Sequence, residues 1–271
     1  MTQDAGGPDP VVARLRTAGC VYAEDEAALL REAAAADASA LETLVARRVA
    51  GEPLEGILGW AEFHGMRVAV ESGVFVPRVR TEVLVAQALL AAGSDSVIVE
   101  LCAGVAAVAA ALSAELPNAE VYAAEIDPLA VRVARRNLEP ARVFEGDLYE
   151  ALPSRLRGRV DILIANAPYV PTDEIALMPV EARDHEPAVA LDGGVDGLDV
   201  QRRVIAGAAD WLAPDGVLLI ETSVRQAPST VALMEAAGLI ARAVHDDELD
   251  GTAAVGVRAV GVRPSGVRPS G

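Results

Sequence analysis

The stretch NAPYVP, Asn166 to Pro171, follows a short apolar run, DILIA, and carries the oxygens and the ring that could hold a planar nitrogen. An amide or aromatic-amine nitrogen is a poor nucleophile, because its lone pair is delocalised into the adjacent π system. To methylate it, a site must hold its N–H hydrogens with acceptors and aim the lone pair at the methyl carbon. The side-chain oxygen of Asn166 and a backbone carbonyl just after it supply two acceptors. Pro168 stiffens the loop, and Tyr169 offers a flat face to a planar group. Such a clamp works by positioning and electrostatics and requires no strong base. The plain alternative is a proline-rich surface loop capping a strand.

Three acids end three other apolar runs. Glu100 lies in SVIVEL, Glu125 ends EVYAAE and Asp147 ends ARVFEGD. Glu125 stands 21 residues beyond Gly104 (125 − 104), near the spacing at which an acid meets ribose hydroxyls in a nucleotide-binding fold. A carboxylate can accept both hydroxyl hydrogens at once. The loop after the first run, Cys102-Ala103-Gly104-Val105-Ala106, keeps a glycine only at Gly104. Cys102 and Ala106 fill the other positions of a full glycine loop, and alanine resists the positive φ that glycine allows. Acids without that loop favour a nucleoside ligand lacking a pyrophosphate. S-adenosylmethionine, with ribose, adenine and a cationic sulfonium, fits.

These residues need a scaffold that gathers strand ends. Apolar spacing predicts short helices over Pro10 to Ala50, broken at Gly51-Glu52-Pro53, a small hairpin between Ile57 and Val76, and a helix over Thr81 to Ala92. From Ser96, strands alternate with helices over Val105 to Leu116, Pro128 to Leu138 and Leu198 to Leu212. That alternation predicts an α/β, Rossmann-like domain with a mostly parallel sheet. LIARAVHDD and TAAVGVRA, joined by a short polar loop, predict an antiparallel edge. The expected domains are an N-terminal helical substrate-recognition domain (1–52), a hairpin linker (53–80), a Rossmann-like domain (81–260) and a disordered repeat tail, GVRPSGVRPSG (261–271).

The 271-residue chain carries a net charge of −17 and all its basic side chains are arginine. Such acidity repels a phosphate backbone, so a nucleic acid is a disfavoured partner. The N-terminus lacks a basic start followed by an apolar run, and no apolar run is long enough to span a membrane. Two distant cysteines read as free thiols of a reducing cytoplasm. The three histidines, His64, His185 and His245, are scattered, and no metal site is expected.

NAPY resembles the [DN]PPY signature of amino-group methyltransferases, with Ala167 in the first proline position. Three more segments, GEPLEGILGWAEFHGMRVAV (Gly51 to Val70), VFVPRVRTEVLV (Val74 to Val85) and HEPAVALDGGVDGL (His185 to Leu198), are similar to the HemK/PrmC family in the same order. That family methylates glutamine N5 in peptide-chain release factors. The resemblance implies S-adenosylmethionine as cofactor, contacted by Glu100, Leu101, Cys102, Ala103, Gly104, Glu125, Asp147, Leu148 and Asn166. It implies an acceptor site of Asn166, Ala167, Pro168 and Tyr169, with Arg78, Thr81, Glu82 and Glu186 beside it. Arg78 and Glu82 could instead form an ion pair that fixes the helix to the linker, and Glu186 could order its loop. The helical region is shorter than the family's, and Arg80 replaces a common acid, both marks of a divergent member. Two other readings share these features: an N6-adenine nucleic-acid methyltransferase, and a non-catalytic protein with weakened cofactor binding.

Overall fold

The computed structural model describes residues 9–259; the repeat tail expected over 261–271 lies outside the described residues. Three helices come first: α1 (Pro10–Thr17), α2 (Ala23–Ala33) and α3 (Ala38–Val49). Asp9 and Asp37 cap α1 and α3 by accepting backbone N–H bonds of the first turn. Leu15, Leu30 and Val45 are fully buried together in a small core. The short helix α4 (Leu54–Leu58) follows, then the antiparallel hairpin of β1 (Trp60–Phe63) and β2 (Met66–Ala69). One turn of helix between Pro53 and Gly59 is too brief for apolar spacing to reveal, and the sequence gives no sign of α4.

Helix α5 (Glu82–Ala91) leads into the main sheet, built from β3 (Val97–Leu101), α6 (Ala107–Glu115), β4 (Glu120–Glu125), α7 (Pro128–Asn137), β5 (Val143–Glu145) and β6 (Val160–Ala165). Two short helices, α8 (Val180–His185) and α9 (Ala188–Leu191), come before α10 (Asp199–Trp211) and β7 (Leu212–Glu221). The chain closes with α11 (Ala227–Ala236), β8 (Leu239–Asp246) and β9 (Gly251–Arg258). ARVFEGD keeps only three residues as β5, because Pro140–Arg142 form a 3-10 turn just before it. Helix α11 leads to β8, and Gly238, at φ +87°, makes the turn between them.

The sheet order is β5-β4-β3-β6-β7-β9-β8. The first five strands are parallel, and β9 runs antiparallel to both β7 and β8. The fold is therefore the Rossmann-like α/β arrangement with an antiparallel edge, covered by one apolar core on each face. Strand order reverses between β3 and β6, whose ends pair Leu101 with Ala165. An open crevice forms at such a reversal, beyond the carboxyl ends of the strands. It brings Glu100 and Asn166 to neighbouring strand ends.

The helical region is bonded to α8. Arg48, only 9% exposed, donates to Glu26 (Nε to Oε2, 2.6 Å) and also to Glu181 on α8. A buried guanidinium needs both partners, since an unpaired buried charge is costly.

Candidate active site

The end of β3 is lashed to its neighbours by carboxylates. Glu100, 3% exposed, accepts the Ala109 N–H of α6 through Oε2 at 2.8 Å. Glu125 accepts three backbone N–H bonds, from Gly104 at 2.7 Å and from Ile126 and Asp127 at 2.8 Å each. Burial still pushes its carboxyl above the usual range, against these bonds. Cys102, Gly104 and Ala106 stand at φ 51°, 53° and 59°. All three glycine-loop positions therefore keep the left-handed conformation, two of them with a Cβ. Ala106 adopts the positive φ it was expected to resist. Its burial and its N–H bond to the Ala103 carbonyl at 2.7 Å offset a cost of about 1 kcal/mol.

A Cβ placed on Gly104 would meet nothing within 4 Å, so the cleft lies open above it. Cys102, Ala103, Asp147 and Leu148 line the same cleft. Burial pushes the Cys102 thiol far up, which keeps it protonated and unreactive. Asp147 is bonded to Arg203 of α10 at 2.7 Å, and both line the cleft. Acids together with the apolar Val105, Ile126 and Leu148 line the cleft, a mixture that suits a nucleoside with a cationic end.

The clamp loop leaves β6 at Asn166. Its Nδ2 donates to Thr81 Oγ1 at 3.4 Å, while Oδ1 makes no hydrogen bond among the described residues. The Ala167 carbonyl likewise accepts none among them. Tyr169 donates its hydroxyl to Glu221 Oε1 at 3.2 Å, and its carbonyl accepts from Gln226 Nε2 at 2.9 Å. The DGGVDGL loop backs this segment closely. A Cβ on Gly193 would lie 2.7 Å from the Pro168 carbonyl, and one on Gly197 would lie 2.3 Å from that of Tyr169. Only glycine permits this approach.

Arg78 pairs with Glu186, not with Glu82. Glu186 Oε1 also accepts the Val76 N–H at 3.3 Å, while its Oε2 is buried without a partner. Arg78, Thr81 and Glu186 line the cleft with Asn166 to Tyr169. Two expected site residues do not reach it. Leu101 is fully buried in the core, because alternation along β3 sends it away from Glu100 and Cys102. Glu82 turns to the hairpin and accepts the His64 N–H at 2.9 Å.

The sequence profile described as "Methyltransferase small domain" matches residues 66–182. A release factor glutamine methyltransferase of Geobacter sulfurreducens is 39% identical over 204 residues, covering 74% of this chain and 71% of the relative. Its counterpart of that name in Bradyrhizobium diazoefficiens is 34% identical over 254 residues, covering 85% and 86%. The chain belongs to the release factor glutamine methyltransferase family. Another relative, the 4-amino-L-phenylalanine/4-methylamino-L-phenylalanine methyltransferase of Streptomyces pristinaespiralis, is 39% identical over 203 residues, covering 72% and 69%. Among solved structures, a methyltransferase from Pyrococcus furiosus shares the fold with a TM-score of 0.55 at 16% identity, covering 72% of this chain and 90% of that one.

Glu221, 1% exposed, ends β7 and touches both Tyr169 and Arg80. The signal was present, an acid closing a parallel strand, the same one that marked Glu100, Glu125 and Asp147. Arg203 and the aromatic walls Phe63 and Phe75 also line the cleft; the two phenylalanines lie inside the segments quoted for the family resemblance, whereas Arg203, on α10, lies in none of them.

Burial pushes the Glu100 carboxyl up to about 8 from 4.5. Between these two values the folded protein holds a proton that the unfolded chain has released, so stability falls as pH rises through that window. Glu100→Gln keeps the shape and cannot titrate. Thermal unfolding from pH 5 to 8 should therefore show a shallower decline in the variant than in wild type. Equal slopes would show that Glu100 is already ionised.

Proposed function

We propose that this chain transfers a methyl group from S-adenosylmethionine to the side-chain amide nitrogen, N5, of a glutamine in a peptide-chain release factor. The observation that carries the reading is the state of the clamp. Asn166 gives its N–H to Thr81 and keeps Oδ1 free, and the next carbonyl, of Ala167, is free as well. Two uncommitted oxygens thus stand beside a cleft lined by strand-end acids. When bound, S-adenosylmethionine supplies a methyl group on a cationic sulfur. Glu125 would hold the ribose hydroxyls, Asp147 and Leu148 would border the nucleoside, and Glu100 would face the cationic end.

Asn166 Oδ1 and the Ala167 carbonyl take the two N–H hydrogens of the acceptor amide, which leaves its lone pair pointing into the cleft. Pro168 and Tyr169 flank the amide plane. An N–C bond would form as the S–CH3 bond of the sulfonium breaks, its electron pair staying on sulfur to leave the neutral thioether S-adenosylhomocysteine, and one N–H proton of the now cationic nitrogen would pass to water. No side chain at the clamp has to act as a base. Arg78 and Glu186 border the acceptor; the buried free Oε2 of Glu186 is suited to a donor from the acceptor's backbone. The helical region 1–52 acts as the recognition domain, 53–80 as its linker and 81–260 as the catalytic domain, a division supported by the separate small core around Leu15, Leu30 and Val45.

Incubation with methyl-labelled cofactor and purified release factors, followed by peptide mass spectrometry, tests this. The expected result is label on one glutamine side chain. Label on adenine of added DNA or RNA, or no transfer at all, would contradict it. A second reading, an aromatic amine on a free amino acid, is favoured by the Streptomyces relative and the Tyr169 ring. Including 4-aminophenylalanine in the same assay separates the two.

A further inference from the structure

Asn137, the last residue of α7, has both ends of its amide committed to main chain. Its Oδ1 accepts the Ala69 N–H at 2.7 Å, and its Nδ2 donates to the Ala69 carbonyl at 3.0 Å and to the Val105 carbonyl at 2.8 Å. A flipped amide would set NH2 against an N–H and oxygen against two carbonyls, so the orientation is fixed. One side chain thus joins the end of β2, in the hairpin linker, to the loop that follows β3.

The Val105 carbonyl needs this donor. At the start of α6 it would ordinarily accept the N–H of Ala109, four residues on. That N–H goes instead to Glu100 Oε2 at 2.8 Å, and no other backbone N–H takes its place among the described residues. Val105 is 2% exposed, and a carbonyl left there without a donor is costly. Asn137 supplies the donor from outside the helix.

The same bond bears on the strained residue next to it. The Val105 carbonyl and the Ala106 N–H belong to one rigid peptide plane. Asn137 holds the carbonyl end of that plane, and the Ala103 carbonyl accepts the N–H at 2.7 Å. Beyond it, the Ala106 carbonyl accepts the Ala110 N–H at 2.9 Å, so Ala106 is held on both sides at φ 59°. A glycine would take that angle unaided, whereas alanine resists it.

We propose that Asn137 is a positioning residue of the cofactor site: it holds the Val105–Ala106 peptide in the left-handed turn that shapes the loop around Gly104, and it does so from the hairpin linker. Val105 lines the cleft and Asn137 does not. The inference rests on the cleft above Gly104 being the S-adenosylmethionine site.

Asn137→Ala should weaken binding of S-adenosylhomocysteine, measured by calorimetry, on the order of tenfold, the effect of one lost hydrogen bond. The same substitution in an Ala106→Gly background should cost less than about threefold, because glycine keeps the turn without the bond. A loss that merely reflected a weaker fold would be the same in both backgrounds. Asn137→Asp keeps an oxygen for the Ala69 N–H and removes the donor to Val105, so it should show the same loss and the same relief. An N137A affinity within twofold of wild type, or equal losses in the two backgrounds, would overturn the proposal.

A second measurement needs no variant. If the bond raises affinity about tenfold, bound ligand must make its opening rarer by the same factor. Hydrogen exchange of the Asn137 side-chain NH2, one of three asparagine amides in the chain, should therefore slow about tenfold in wild type saturated with S-adenosylhomocysteine. Unchanged exchange would refute the link. Wild type that bound no S-adenosylhomocysteine would sink the cofactor site itself and this inference with it, whereas tight binding indifferent to Asn137 would sink the inference alone.

Discussion

Asn166→Ala should lower the single-turnover rate of methyl transfer on the order of 100- to 1000-fold, the loss seen when one preorganised hydrogen-bonding group is removed from a reacting centre. The half-buried loop position after β6 has no core packing to lose, so the protein should remain folded. With Oδ1 gone, only the Ala167 carbonyl would be left to hold the acceptor on the proposed reading, and the NH2 group could rotate its lone pair back into conjugation. Cofactor affinity, measured by calorimetry, should stay within a few-fold, because Glu125 and Asp147, the groups proposed to hold the nucleoside, are unchanged. Asn166→Asp should fall between. It retains an acceptor oxygen, but it cannot donate to Thr81 and places a charge beside Glu221. A rate in Asn166→Ala within fivefold of wild type would remove the clamp from the mechanism.

Glu125→Gln should produce the opposite profile, a loss of cofactor affinity on the order of 100-fold with kcat little changed at saturating cofactor. The carboxylate accepts three backbone N–H bonds between 2.7 and 2.8 Å, from Gly104, Ile126 and Asp127. Hydrogen bonds to a charged group are worth about 1.5–3 kcal/mol each. A glutamine presents one oxygen and an NH2 that faces a donor, so at least one of these bonds becomes a repulsion. The loop with its left-handed Cys102, Gly104 and Ala106 then loses the tie that holds it against β4. Titration calorimetry and amide exchange at Gly104 check both parts. Unchanged affinity would show that Glu125 serves only the next turn of the chain.

These two profiles divide the site along the same line that the sequence does. The acids at Glu100, Glu125 and Asp147 and the clamp at Asn166 to Tyr169 are local signals: each sits at the end of an apolar run and needs only its own neighbours to be recognised. The parallel sheet follows from the alternation of those runs with helices. What the chain conceals is pairing at a distance. Arg78 meets Glu186 across 108 positions, and Arg203 meets Asp147 across 56. Leu101 and Glu82 fall inside motifs yet turn away from the cleft, one by strand alternation and one towards a hairpin turn. A motif marks a stretch of backbone, whereas the direction of each side chain depends on elements folded from elsewhere. Glu221 lies between these cases: its place at a strand end is legible, but its partners are not.

The most direct test is a crystal structure with S-adenosylhomocysteine and a glutamine-bearing acceptor peptide. The expected result is the glutamine NH2 within hydrogen-bond reach of both Asn166 Oδ1 and the Ala167 carbonyl, with Asn166 Nδ2 still on Thr81 and the nitrogen facing the sulfur. An Asn166 side chain turned out of the crevice, or a glutamine bound with its amide oxygen where the nitrogen should be, would contradict it.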